Sequence, residues 1–154
     1  MSKGLSPTQP SLLIIIPGKP IAKARPRFFR RGNYVGTYNI QETEEGRWIL
    51  EAKAQLPPGW TPLEGAIEMQ CVFGMPIPKS MPKKLWEKCD VNNGPPHIKK
   101  PDLDNLIKFV KDCLRGIAYR DDAQITFLSA GKTYVTAPGT MIAIREWPEE
   151  KFEK

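Results

Sequence analysis

Between Lys99 and Ile125 the chain reads KKPDLDNLIKFVKDCLRGIAYRDDAQI, and this stretch constrains the fold most tightly. Leu103, Leu106, Ile107, Val110, Leu114 and Ile117 recur at about 100° per residue, which predicts a helix with one apolar face. Gly116 marks its end. Five of the chain's six aspartates (Asp102, Asp104, Asp112, Asp121 and Asp122) lie in the same stretch, off that apolar face or beyond the helix.

The remaining elements follow from local pattern. SLLIIIPG reads as a buried strand stopped by Pro17 and Gly18. Residues 19–39 mix prolines and glycines with Lys19, Lys23, Arg25, Arg27, Arg30 and Arg31, contain no acid, and interleave Phe28, Phe29, Tyr34 and Tyr38, which predicts a loop or irregular hairpin. Trp48, Ile49, Ala52 and Leu56 predict a second helix that Pro57 and Pro58 end. Ile67, Met69, Cys71 and Phe73 alternate as in a half-buried strand. A Pro-, Lys- and Asn-rich loop with one helical turn around Lys83–Lys88 comes next. After the aspartates, AQITFLSAGKTYV and TMIAIREW read as two strands joined around Pro138 and Gly139 as a hairpin. The expected organisation is a flexible start at 1–10, one small domain at 11–148 and a polar tail at 149–154.

A chain of 154 residues is most simply one domain, and 40% hydrophobic with 26% charged residues is ordinary for a globular chain. Its longest apolar run, Leu12 to Ile16, is too short to cross a membrane, and the start has no apolar signal core, so the cytoplasm is the expected compartment. Three widely spaced cysteines and a single histidine, His97, argue against a disulfide framework or a Cys/His metal site. Residues 1–100 hold 15 Lys+Arg against 8 Asp+Glu, whereas residues 101–154 hold 8 against 9. The basic part suits a polyanion. The acidic cluster would repel that same partner unless a cation intervened.

Each aspartate has an ordinary reading. Asp102 or Asp104 can cap a helix, Asp112 can pair with Lys108 or Arg115, and Asp121 with Asp122 can form a turn. Taken together they suggest more. If the chain turned back after the helix, Asp122 would join Asp102 and Asp104 beside Lys108. Converging carboxylates raise one another's pKa, and a divalent cation removes the conflict. Oxygen-only ligation favours Mg²⁺ or Mn²⁺.

The pattern DLDN, a lysine four positions after its second Asp, a further Asp, then DD-x-Q resembles the signature of the RusA-like endodeoxyribonucleases. IIIPGKPIAKARPRF is similar to that family's first strand and basic loop. The resemblance implies an α+β subunit with a mixed sheet and two main helices, working as a homodimer. It implies Mg²⁺-dependent, paired symmetric nicking of four-way DNA junctions in recombination and repair, with a phage or prophage origin. By position, Asp102, Asp104 and Asp122 are its metal-binding catalytic carboxylates and Lys108 its catalytic lysine. Asn105, Asp112 and Asp121 are supporting: Asn105 orients a ligand, Asp112 fixes the lysine, and Asp121 shapes the turn or assists the metal. Lys19, Lys23, Arg25, Arg27, Arg30, Arg31, Lys99 and Lys100 are the expected DNA contacts. Two other functions stay open: a nuclease for flaps and wider branched DNA, and a non-catalytic junction-binding protein.

Overall fold

Alternation decides the first strand. In a computed structural model that describes residues 11–90 and 94–148, β1 (Leu12–Pro17) buries Leu12, Ile14 and Ile16 and turns Leu13 and Ile15 outward. The continuous apolar run is therefore covered on one face only. The expected loose start and polar tail lie outside the described residues.

The order continues with β2 (Arg27–Arg31), β3 (Tyr34–Tyr38), α1 (Glu42–Ala54), β4 (Ile67–Pro76), a single turn α2 (Lys83–Trp86), α3 (Leu103–Leu114), β5 (Ile125–Val135) and β6 (Gly139–Glu146). Four strands form one mixed sheet in the order β1-β6-β4-β5, and β2 with β3 form a separate hairpin. This is an α+β fold with two main helices. β4 runs parallel to β5 and antiparallel to β6.

One expectation is corrected. β5 and β6 do not form a hairpin, because β4 lies between them. The segment after β5 instead passes across the end of β4, and β6 pairs with β4 on one side and β1 on the other. The reason lies in β4, whose Ile67, Met69, Cys71, Phe73 and Met75 are all buried. A strand with so much apolar surface is best placed in the interior of the sheet.

α1 and α3 supply the second layer. Trp48 and Ala52 of α1 and Leu106, Phe109, Val110, Cys113 and Leu114 of α3 join one core with β1, β4 and β6. Trp48 meets Phe109 edge-on at 6.0 Å. Phe109 and Cys113 widen the apolar face beyond the stripe the spacing picks out. Gly116, at φ +82°, ends α3 in a conformation that a side chain would resist.

Candidate nucleic-acid interface and acidic site

The hairpin β2–β3 is an arm with no core of its own. Every residue of β2 is exposed, and Phe28 is 79% exposed. Cross-strand register puts Arg27 beside Tyr38, Phe29 beside Gly36 and Arg31 beside Tyr34. One face therefore carries two arginines and three aromatic rings, with Phe29 lying 5.9 Å from Tyr34 and 6.2 Å from Tyr38. Gly36 makes this possible, since a Cβ there would fall on the Phe29 ring. Aromatic faces and arginines exposed together suit the stacking and phosphate contacts of nucleic acid. Arg25 is likewise exposed.

The base of the arm is tied down on α1 and α3. The Gln41 amide donates to the Ala22 carbonyl and accepts from the Ala24 N–H, both at 2.7 Å. The Lys23 N–H donates to the Asn105 carbonyl at 3.0 Å. Lys23 itself turns inward, its ammonium 2.7 Å from Glu45 Oε1 and 3.3 Å from Asp112 Oδ2. Lys23, one of the expected DNA contacts, thus has its charge engaged by two carboxylates within the subunit. The Glu45 hydrogen bond is the main reason its pKa is raised. Burial pushes the Glu45 carboxyl up, but hydrogen bonds from Lys23 and Asn39 outweigh it and leave the pKa lowered.

Lys19 lines a cleft of about 490 Å³ between α1 and the segment after β1, shared with Arg47, Glu44 and Glu51. Lys99 and Lys100 are exposed ahead of α3.

Asp102 occupies the cap position of α3 but makes no side-chain capping bond. Its carboxylate faces the Lys100 ammonium at 2.8 and 3.0 Å. That hydrogen bond holds the Asp102 pKa below the ordinary carboxylate value and the Lys100 pKa above that of a free lysine. Asp104 Oδ1 accepts from the Asn105 N–H at 3.0 Å. Lys108 lies one turn further along and makes no ion pair among the described residues.

Asp122 sits elsewhere. Arg115 Nη1 donates to its Oδ2 at 3.0 Å, and the Tyr119 hydroxyl lies 3.0 Å from its Oδ1 and 3.2 Å from the Lys111 carbonyl. These partners anchor it at the last turn of α3, whereas Asp102 is at the first, roughly 20 Å along a helix of that length. The expected convergence of Asp122 with Asp102 and Asp104 is absent from the subunit, and no cluster of three or more His, Cys, Asp or Glu able to hold a metal occurs among the described residues. The reason is local: the chain turns tightly after Gly116, and a short 3-10 turn at Asp122–Gln124 starts β5 there.

Asp112 pairs with Lys23 and, at 3.7 Å, with Arg115 rather than with Lys108. Asp121 caps the 3-10 turn, accepting from the Ala123 N–H at 3.1 Å. Gln124 is the residue whose importance the sequence understated. Its amide nitrogen donates to the Leu63 and Gly65 carbonyls, and its oxygen accepts from the Arg120 and Asp121 N–H groups. The DD-x-Q spacing was its only signal. His97 is buried edge-on against Tyr134, which gives it a packing role.

A family model described as Endodeoxyribonuclease RusA matches residues 17–145. The chain is also 31% identical over 134 residues to the uncharacterised protein YqaN of Bacillus subtilis (strain 168), covering 84% of this chain and 92% of that one. No helix among the described residues is long and apolar enough to cross a membrane.

Proposed function

The chain belongs to the RusA endodeoxyribonuclease family, and on that premise we propose that it is a divalent-metal-dependent endonuclease that resolves four-way DNA junctions by paired nicks, acting as a homodimer. One observation beyond the family supports the reading most directly. The exposed arginine- and aromatic-bearing arm is hydrogen-bonded at its base to Asn105, between the Asp102/Asp104 pair and Lys108. A strand held by the arm would pass the acidic end of α3.

Arg25, Arg27, Arg30 and Arg31 bind backbone phosphates, and the rings of Phe28, Phe29, Tyr34 and Tyr38 offer stacking surfaces to unpaired bases at the branch. RusA-family resolvases generally depend on a divalent metal. Two carboxylates two residues apart and open to solvent fit Mg²⁺, which keeps several waters and takes one or two carboxylates with substrate phosphate. Asp102 and Asp104 would hold it; Mn²⁺ suits the same donors. Asp122, a family-pattern carboxylate, is held by Arg115 and Tyr119, and no step is derived through it. When bound, the cation supplies positive charge to the phosphate and lowers the pKa of a water. Lys108, with no carboxylate partner among the described residues, would stabilise charge on the phosphoryl oxygens as water attacks in line and the P–O bond breaks. A C₂ pair of subunits matches the two-fold symmetry of a four-way junction.

Cleavage of a synthetic four-way junction, with linear duplex and a flap as controls, in Mg²⁺ and in EDTA, tests this. Paired, Mg²⁺-dependent nicks confined to the junction are expected. Asp102→Asn and Asp104→Asn are each expected to lose at least about 100-fold in cleavage rate while junction affinity holds or rises. Parallel loss of binding and cleavage would sink the metal role.

A further inference from the structure

We propose that Lys132 is a positioning residue for the acidic end of α3: its ammonium ties down the segment that enters the helix and so sets Asp102 and Asp104 for the cation. The inference rests on the metal-dependent reading above and deepens it, since it names what holds the two carboxylates from behind.

Lys132 is remote from the site in sequence and reaches it by register. On β5 it lies opposite Phe73 of β4, and residues in register share a face of the sheet. Ala130 and Tyr134, two positions to either side, pack against the core that the helices cover. The stem of Lys132 therefore rises on the helix side. Its Nζ donates to the Lys99 carbonyl at 2.7 Å and to the Pro101 carbonyl at 2.6 Å, 33 and 31 positions earlier in the chain. Those carbonyls flank Lys100, and Pro101 immediately precedes Asp102.

The backbone of the same residue holds the other end of that segment. The His97 N–H donates to the Lys132 carbonyl at 3.1 Å, the Tyr134 N–H donates to the Pro95 carbonyl at 3.1 Å, and Pro96 bridges to Thr133. Residues 95–101 thus form a strap along β5. Main-chain bonds fasten it at 95–97. Among the described residues Lys99, Lys100 and Pro101 make no backbone–backbone hydrogen bond, so the Lys132 side chain is what fastens the end next to Asp102.

The use of a lysine for this tie is informative. Lys132 is half-buried and has no carboxylate within ion-pair distance among the described residues. Carbonyl oxygens orient its donors but leave its charge uncancelled, so a positive charge stays beneath the acidic end of α3. After the hydrogen bond and charge of Lys100, the charge of Lys132 contributes to keeping the Asp102 pKa low. One side chain therefore fixes the path into α3 and offsets the repulsion that two neighbouring carboxylates feel before a cation arrives.

Lys132→Met removes the tie and the charge but keeps the stem and the main-chain bonds at 95–97. Mn²⁺ binding to the DNA-free protein, followed by electron paramagnetic resonance, is the first readout, and cleavage of a four-way junction at saturating DNA is the second. Groups that hold a metal's ligands in place typically matter about 10–100-fold. Lys132→Met is expected to weaken Mn²⁺ binding by at least about 10-fold and to lower kcat by a similar factor. Junction affinity in EDTA, read by fluorescence anisotropy, is expected to stay within about two-fold, because no phosphate contact is lost. Lys132→Arg keeps the charge and can donate to both carbonyls, and is expected to recover most of both losses. Should circular dichroism show Lys132→Met unfolded, Lys132→Gln carries the same expectation. A wild type that neither binds Mn²⁺ nor cleaves the junction would overturn the metal-dependent reading and this role with it. A wild type that does both, matched in both by folded Lys132→Met, would overturn the positioning role alone, even if the variant melts at a lower temperature. Weaker junction binding in EDTA with a shallower salt dependence would also overturn it, by showing Lys132 to be a phosphate contact.

Discussion

Replacing Lys23 with Met keeps most of the aliphatic stem and removes one charge from a compact ion network. In the native protein the ammonium lies 2.7 Å from Glu45 and 3.3 Å from Asp112, and the three side chains are only 20%, 20% and 23% exposed. A charge-assisted hydrogen bond contributes about 1.5–3 kcal/mol net. Partial solvent access trims that value, while the two carboxylates left facing each other add to the loss. The expected cost is about 2 kcal/mol, or a melting temperature lower by roughly 4–8 °C for a domain of this size. The pH dependence follows from the shifted groups. Glu45 has a lowered pKa, so its contribution is fully present above its ordinary 4.5 and disappears as pH falls through the lower folded value. Lys23 has a raised pKa, so its contribution is fully present below 10.5 and disappears as pH climbs through the higher folded value. Wild type and variant should therefore differ most between those limits and converge in acid. Chemical denaturation at pH 7 and at pH 3 measures the gap. A cost below about 0.5 kcal/mol at pH 7, or the same cost at both pH values, would refute the network's role. The same variant separates structure from DNA contact: because Lys23 is engaged internally, its loss should leave the salt dependence of junction binding unchanged.

Three further outcomes are expected. Arg27→Ala with Arg31→Ala should make the slope of log affinity against log salt shallower by about 2, read by fluorescence anisotropy on a four-way junction. Tyr119→Phe removes the hydroxyl between Asp122 and the Lys111 carbonyl and should cost about 1 kcal/mol in urea titration. Phe73→Ala, at a position 1% exposed in the centre of the sheet, should cost roughly 3–5 kcal/mol and unfold the domain at a visibly lower denaturant concentration.

Local periodicity made much of this fold legible. The apolar stripe of α3 and the alternation of β4 each answer to neighbours a few residues away, so their spacing carries the signal. The arm was readable for a different reason: prolines, glycines and uncompensated arginines leave little else for it to be. Strand order was not legible. β5 and β6 are adjacent in the chain, yet each finds its main partner in β4, more than fifty residues earlier. Nothing between them announces that a third strand intervenes.

The site divided along the same line. Asp102, Asp104 and Lys108 lie within two turns of one helix, so their relation follows from α3 alone. The position of Asp122 depends on a tight turn and on Tyr119 and Arg115, contacts that spacing cannot rank. The ion pairs of Lys23 were not legible because its sign matched the basic loop around it. Its partner Glu45 lies 22 positions away on another element.

The place of β6 bears on when the protein can begin to work. Among the described residues Leu12–Pro17 pairs with β6 and with no other strand, so residues 139–146 tie β1 to the remainder of the sheet. During synthesis β1 leaves the ribosome well before β6 and waits for that partner strand while residues 18–138 follow. Until β6 arrives, the platform beneath α1 and α3 is unfinished, and with it the seat of the arm and of the acidic end of α3. A chain made only as far as β5 would thus hold the parts of the proposed DNA-cutting surface without their alignment, and competence would come only once residues 139–146 had joined.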